Sequence, residues 1–328
     1  MAGGGHVAYF AVGGTISMTG NHGTDVVARL SGDDLLGGLG ELPAEVRVHS
    51  PYAVPSAALT FADVLDVVDR AAKAVADGAV GIVLTQGTDT LEETAFLIDS
   101  VWPHEAPFIV TGAMRNPSLA GADGPANLLA AVQVAAAPQA QGRGALVVFA
   151  DDIHAARHVR KAHSTSIATF FSGDLGPIGH VVEGTPRFLA TVAPRSVITG
   201  WTRESIERSR IALHTATLDD DADDLSHVAG TYHGLVIAGF GAGHVPERLV
   251  PTIASLVHAM PVVLTSRTGS GPVLADTYGA PGAERDLRAR GVIGGGFVHP
   301  YKARVLLRLL VAAEASRSEI ADAFAALG

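Results

Sequence analysis

Residues 81–99 read GIVLTQGTDTLEETAFLID, and the change of period inside this stretch decides the fold. Val80 to Leu84 is a short apolar run rich in β-branched residues, the mark of a buried strand. Thr90 followed three residues later by Glu93 is a capping-box signature, which predicts that a helix starts there. A strand therefore turns sharply into a helix, with Gly87 supplying the tight turn. Thr88 and Asp89 are left at the carboxyl end of the strand and beside the amino end of the helix. In an open parallel sheet that is where ligands sit. A purely structural reading is also open, in which Asp89 or Thr90 serves only as the N-cap.

The same rhythm recurs on either side. Val7 to Val12 is an apolar run broken by Gly13-Gly14 and followed by Thr15, so a second strand end presents a hydroxyl. Residues 17–32 have no sustained period and read as a long loop of the kind that forms lids. Val46 to His49 is a weak strand. Phe61 to Ala76 carries apolar residues at helical spacing. Pro107 to Val110 is a strand, Asp123 and Pro125 open a helix that runs to about Ala137, and Leu146 to Ala150 is a further strand that exits at Asp151-Asp152. Alternating strands and helices demand a mostly parallel sheet covered on both faces.

Around Ala190 the rhythm stops. Residues 191–208 suit a linker, and a second set follows: strands at Ile211 to His214, Leu235 to Ala238 and Val262 to Leu264, and a last helix from about Pro300 to Ala313. The acidic run DDDADD at 219–224 reads as a solvated face. The expected fold is α/β in two domains: a larger, doubly wound N-terminal domain over residues 1–190 and a smaller C-terminal one over 209–328.

Composition narrows the function. The chain has 328 residues, 48% of them hydrophobic, with 38 glycines and 5% aromatics, which suits sheets packed by Ala, Val and Leu. Cysteine is absent, which removes disulfides, thiolate nucleophiles and cysteine-ligated zinc together. A net charge of -10 argues against a phosphate-tracking surface and so against nucleic acid. No apolar stretch approaches the roughly 20 residues of a membrane helix, and MAGGGHVAYF lacks the pattern of a secretory signal, so a cytoplasmic location without a membrane partner is expected. His154, His158 and His163 read as solvated or capping histidines, since no glutamate or further ligand accompanies them; no metal is expected. The GGT at 13–15 lacks the rest of a phosphate loop.

The constellation left over is two threonines at strand ends, Thr15 and Thr88, an acid at Asp89, and Lys161, one of three lysines in the chain. A threonine hydroxyl is a weak nucleophile that needs a base, and a desolvated lysine held by a carboxylate can serve. This suits acyl transfer if the loop after Ala150 folds back over the central turn. A plain α/β ligand-binding domain is the other reading.

AVGGTIS at 11–17, LTQGTDTLEET at 84–94, TGAMR at 111–115, GADGPANL at 121–128, Arg160-Lys161 and HPYKARVLL near the carboxyl end resemble the bacterial-type L-asparaginase family. The resemblance extends over nearly the whole chain. It implies hydrolysis of the side-chain amide of asparagine to aspartate and ammonia, without a cofactor, in a homo-oligomer (dimer or tetramer) whose subunits close one another's sites. Carried over, Thr15 matches the nucleophile and Thr88, Asp89 and Lys161 the second threonine, the substrate-binding aspartate and the lysine. Ser56 matches the serine that holds the α-carboxylate, Gly14 and Gly87 supply turn backbone to the substrate, and Ala113 joins Thr88 as an oxyanion donor. Three departures stand out. Arg29 aligns where the family has a lid tyrosine, with Tyr52 or Tyr278 as substitutes from elsewhere. Ala57 stands where a glutamine often contacts the substrate amino group, and Ala242 where an asparagine of the neighbouring subunit is common, with His244 nearby. Poor use of glutamine is expected. Two other functions compete: an amino-acid-binding sensor with weakened catalysis, and the amidase subunit of a transfer-RNA amidotransferase, against which a first strand beginning by His6 is read.

Overall fold

Strands buried on both faces need no alternation of polar and apolar residues, and the first unit has such strands at its core. In the computed structural model, residues 5–19, 27–28 and 30–327 are described. Five parallel strands form one side of an eight-stranded sheet, out to its edge: β1 (His6–Ala11), β2 (Val46–His49), β3 (Ala79–Thr85), β4 (Phe108–Thr111) and β5 (Ala145–Phe149), in the order β2-β1-β3-β4-β5. Every residue of β1, β4 and β5 is buried. Tyr9 on β1 and Thr85 at the end of β3 share a hydrogen bond of 2.9 Å, and burial raises the Tyr9 pKa well above its usual value.

Helices α1 (Phe61–Ala76), α2 (Leu91–Val101) and α3 (Gly124–Ala136) connect these strands. Thr60 and Asp63 cap α1 reciprocally, and its apolar stripe of Val64, Leu65, Val68 and Ala71 is buried. Against β3, α3 lies so close that a Cβ on Gly81 would come within 2.1 Å of the Ala135 carbonyl oxygen. Glycine there lets helix and sheet meet.

The chain after β5 departs from the expected loop. Ala150 and Asp151 adopt left-handed φ values of 50° and 63°, the signature of a two-residue hairpin turn. The chain reverses into β6 (Asp152–Ala155), and β7 (Gly179–Val182) and β8 (Thr185–Phe188) extend the sheet antiparallel from there. His154 is therefore a strand residue. It is not solvated but buried, with Nδ1 2.8 Å from Ser172 Oγ. Among the described residues no group of three or more acidic, histidine or cysteine side chains could hold a metal.

A second unit runs from Ile198, after the division at Val197. Its four parallel strands, β9 (Ile211–Thr215), β10 (Gly234–Gly239), β11 (Val262–Ser266) and β12 (Ile293–Gly294), follow one another across the sheet. Three expectations are corrected here. Residues 203–208, read as linker, form helix α4 (Arg203–Arg208), capped by Thr202 and Ser205 and anchored by buried Ile206. Helix α5 (Val250–Ala259) precedes α6 (Pro300–Ala312), which is not the last: α7 (Arg317–Ala325) follows, with a Ser316–Glu319 capping box and Ile320 and Phe324 buried. Nor is the acidic run wholly solvated. The Asp220 carboxylate is 7% exposed and 2.8 Å from His214 Nε2. Among the described residues no helix is long and apolar enough to cross a membrane.

Burial works against ionisation of Asp220. The bond to His214 and the N–H groups of Ala222 and Thr217 outweigh it and hold the carboxyl below its usual value. A carboxylate whose folded pKa is depressed stabilises the fold above its ordinary range, and that contribution fades as pH falls through the folded value. Asp220→Ala is expected to cost about 1–3 kcal/mol at neutral pH, because it leaves His214 and two amides unpaired. Urea unfolding of both proteins from neutral to acid pH checks this: the stability gap should close as the pH drops below the aspartate range.

Candidate active site

The site is assembled where β1 and β3 end side by side. After Val12 the chain bends at Gly13 (φ 103°) and Gly14 (φ 89°), and Thr15 opens a one-turn 3-10 helix, Thr15–Ser17. Both φ values lie where a side chain is strained. Space forbids one as well: a Cβ on Gly14 would stand 2.2 Å from the amide nitrogen of Gly87, and one on Gly13 2.6 Å from the Val54 carbonyl. The two strand-end turns touch backbone to backbone.

Gly87 plays a different part from the expected one. Its φ is not left-handed; what it lacks is room, since a Cβ there would meet Ser56 Oγ at 2.6 Å. Buried Ser56 accepts a bond from the Asp89 N–H at its hydroxyl (3.3 Å), and its carbonyl accepts the Thr90 hydroxyl (3.1 Å). The capping box at Thr90 and Glu93 is accordingly not formed, and neither Asp89 nor Thr90 caps α2 through its side chain. Thr90 has exchanged a local partner for a tertiary one.

Lys161 comes from the far end of the sheet. After β6 the chain makes a two-rung antiparallel ladder, Arg160–Lys161 against Phe170–Phe171. From it the Lys161 ammonium donates to Thr88 Oγ1 at 2.9 Å and to Asp89 Oδ1 at 2.7 Å. Thr88 is buried, Lys161 15% exposed and Asp89 71% exposed. An ion pair so open on one side adds little stability; its consequence is to aim the ammonium at the threonine oxygen. The Thr88 hydroxyl in turn donates to Met114 Sδ at 3.4 Å.

The segment bearing Met114 is held by Asp123, whose carboxylate accepts the N–H groups of Met114 (2.9 Å) and Arg115 (2.8 Å). Asp123 stands at the N-cap of α3 but does not cap it through its side chain. Asn127 Nδ2 donates to the Gly112 carbonyl at 3.0 Å and its Oδ1 accepts the Ala150 N–H. The residues read as a helix start are thus a clamp on the loop after β4.

These elements enclose a cavity of about 180 Å³. All eight residues picked out from the sequence line it: Gly14, Thr15, Ser56, Gly87, Thr88, Asp89, Ala113 and Lys161. Met18, Pro55, Met114 and Ser164 line it too and were not anticipated, although each lies within three residues of a predicted one. Among the described residues the Thr15 hydroxyl has no hydrogen-bond partner, and the N–H groups of Thr88 and Ala113 have no acceptor. Two backbone donors, an ammonium and a free-standing hydroxyl in one cavity suit a small polar substrate that develops negative charge on oxygen. The volume is below the roughly 300–1,000 Å³ of pockets for drug-sized ligands.

The departures have structural outcomes. Arg29 lies outside the described residues, as does half of the expected lid; Met18–Thr19 and Val27–Ala28 pair as two short antiparallel strands. Tyr52 donates its hydroxyl to Asp66 at 2.5 Å, and that bond pushes its pKa up to about 12, so it is no base at neutral pH. Tyr278 belongs to the second unit, where its ring meets His244 edge-on. Ala57 is exposed and does not line the cavity. The Ala242 carbonyl accepts the Leu274 N–H, and His244 Nε2 lies 3.6 Å from buried Glu284.

Comparison with known proteins covers nearly the whole chain. Residues 6–193 match the family described as "Asparaginase, N-terminal", and residues 210–324 match "Glutaminase/Asparaginase C-terminal domain". The chain is 38% identical over 284 residues to a probable L-asparaginase of Deinococcus radiodurans, covering 85% of each protein. It is 32% identical over 314 residues to an L-asparaginase of Bacillus licheniformis, covering 93% of this chain and 95% of that one. The crystal structure of a probable cytoplasmic L-asparaginase from Campylobacter jejuni superposes with a TM-score of 0.86 at 26% identity, over 98% of this chain and 99% of that one.

The turn contact is open to a direct test. Gly14→Ala places a methyl group where the Gly87 amide stands and demands a strained φ, at a cost of about 1–3 kcal/mol or more. Thermal unfolding should show the loss, and any ligand that fills the cavity should bind at least about tenfold more weakly, since a 1 Å displacement of positioned groups is enough for that.

Proposed function

Because this chain belongs to the asparaginase family, we propose that its cavity at the ends of β1 and β3 hydrolyses the side-chain amide of L-asparagine to L-aspartate and ammonia. One observation carries the reading: a lysine 73 positions along the chain from Thr88 meets both that hydroxyl and the neighbouring aspartate, in a cavity sized for a small molecule that a second threonine also lines.

Each role follows from the chemistry of its group. Exposed Asp89 pairs with the substrate ammonium, while Ser56 and the turn backbone at Gly14 and Gly87 hold the α-carboxylate. This leaves the carboxamide between the two threonines. Thr15 is the nucleophile of the proposal: its oxygen attacks the amide carbon, and the carbonyl oxygen, becoming an oxyanion, is met by the N–H groups of Thr88 and Ala113. As the C–N bond breaks, Thr88 gives its proton to the leaving nitrogen and takes the one released by Thr15, with Lys161 beside it, so that ammonia departs; water then cleaves the ester, releasing aspartate and returning a proton to Thr15. Lys161, donating to Thr88 Oγ1, stabilises negative charge on that oxygen as its proton departs. No cofactor enters any step.

A cytoplasmic location and a homo-oligomeric state, dimer or tetramer, belong to the same proposal. The first draws support from the Campylobacter jejuni neighbour, named as cytoplasmic. The second draws support from large apolar side chains left outside, among them Leu218 at 93% and Phe297 at 56% exposure.

Ammonia release from asparagine tests the assignment. Thr15→Ala and Thr88→Ala are each expected to lower kcat by about 10³-fold or more, in the manner of residues that act as a unit, and Lys161→Met by about 10²–10⁴-fold. Turnover that survives all three changes overturns the proposal, and asparagine binding by calorimetry without turnover in the unmodified chain selects the sensor reading. Glutamine, one methylene longer, should be used about 10–200-fold less efficiently in kcat/KM; equal efficiency would refute the inferred selectivity.

A further inference from the structure

Among the described residues the proton of the Thr88 hydroxyl has one acceptor, and it is a sulfur. Thr88 Oγ1 receives the Lys161 ammonium at 2.9 Å and donates to Met114 Sδ at 3.4 Å. A hydroxyl has one proton and two lone pairs, so these contacts set its rotor. The proton points at the sulfur, one lone pair faces the ammonium, and the other stays free for the cavity. A thioether is a weak acceptor, which orients the proton without holding it firmly. The sulfur itself is well placed: Asp123 grips the Met114 N–H, Asn127 the Gly112 carbonyl, and a Cβ on Gly112 would lie 2.4 Å from the Gln86 carbonyl oxygen.

We propose that Met114 is a positioning residue for the Thr88 hydroxyl and, because it lines the cavity, the modification site through which peroxide switches the enzyme off. The inference rests on reading this cavity as the site of amide hydrolysis. The chain has no cysteine and four methionines, and two of these, Met18 and Met114, line the cavity. Hydrogen peroxide gives one oxygen to the thioether: an S–O bond forms as the O–O bond breaks, the sulfur is oxidised by two electrons to the sulfoxide, and the peroxide is reduced to water. The sulfoxide oxygen is a strong acceptor beside Thr88. It holds the proton that the thioether released easily, draws on the Lys161 ammonium, and takes space from a cavity of about 180 Å³. Methionine sulfoxide reductase with a thiol reductant reverses the change.

The test has two parts. Met114→Leu keeps the volume and removes the acceptor. It is expected to lower kcat for asparagine about three- to tenfold, the worth of one modest hydrogen bond, with KM and melting temperature unchanged. Met114→Gln, which sets an oxygen acceptor as strong as the sulfoxide's beside Thr88, should lower kcat further than Met114→Leu does. A merely structural role would move melting temperature and KM and would not respond to the glutamine. In the second part, peroxide-treated wild type should lose activity in step with a one-oxygen mass gain on the Met114 peptide and regain it with the reductase. Met18→Leu should be inactivated likewise, and Met114→Leu should keep its own untreated rate. The proposal is overturned if Met114→Leu matches wild type in kcat, if it is inactivated as wild type is, or if wild type stays active once Met114 is fully oxidised. Absence of turnover in untreated wild type would overturn the functional reading and this inference with it; turnover indifferent to Met114 overturns this inference alone.

Discussion

The contact between the turns at Gly14 and Gly87 is the constraint on which the rest of the site depends. Parallel pairing of β1 with β3 brings the two strand ends into register. It does not by itself bring two hydroxyl-bearing turns within reach of one small molecule. That requires backbone against backbone, with no Cβ between them, and the structure meets the requirement with glycines at 13, 14 and 87. Thr15 and Thr88 follow those glycines directly, so their placement is inherited from the contact. Ser56 lies against Gly87 from the other side, which adds a third segment to the same backbone junction.

Around this rigid centre the polar groups are held by neighbours that do not line the cavity. Asp123 and Asn127, on or at the start of α3, clamp the loop after β4. Tyr9 and Thr85 tie β1 to β3 just before their turns. The hairpin at Ala150 and Asp151 returns the chain so that Lys161 reaches back over the carboxyl edge of the sheet. A functional group on a loop is only as well placed as the elements that carry it, and here each loop is pinned by a side chain from a helix or strand. Lys161 meets a carboxylate and a hydroxyl at once, so its charge is aimed although one partner is open to solvent.

Much of this was legible in the residues. Strands β1, β3, β4 and β5 carry apolar runs that need no partner to be recognised, and the turns after β1 and β3 are marked by Gly-Thr pairs. The helix at Phe61–Ala76 follows from its stripe and cap. What misled was local in kind. Thr90 and Glu93 have the spacing of a capping box, but Ser56 offers Thr90 a partner from another segment. The acidic run at 219–224 looks solvated because five of its six residues are acids, yet Asp220 is drawn inward by His214 and two backbone amides. The stretch at 203–208 lacked a long period and was read as linker, although Thr202 and Ser205 already had capping spacing. The hairpin after β5 was missed because neither of its left-handed residues is a glycine.

The sequence alone determined the α/β class, the two-domain order, the parallel core and the residue types available for chemistry, because period, punctuation and composition are properties of neighbouring residues. Through the family resemblance of its motifs it also marked eight of the residues that line the cavity. Only the tertiary structure decided that they meet, which atoms face one another, and that Met114 joins them. Hydrogen bonds across 26 and 73 positions of chain depend on how strands pair and where loops return, and nothing in the local pattern at either end specifies its distant partner.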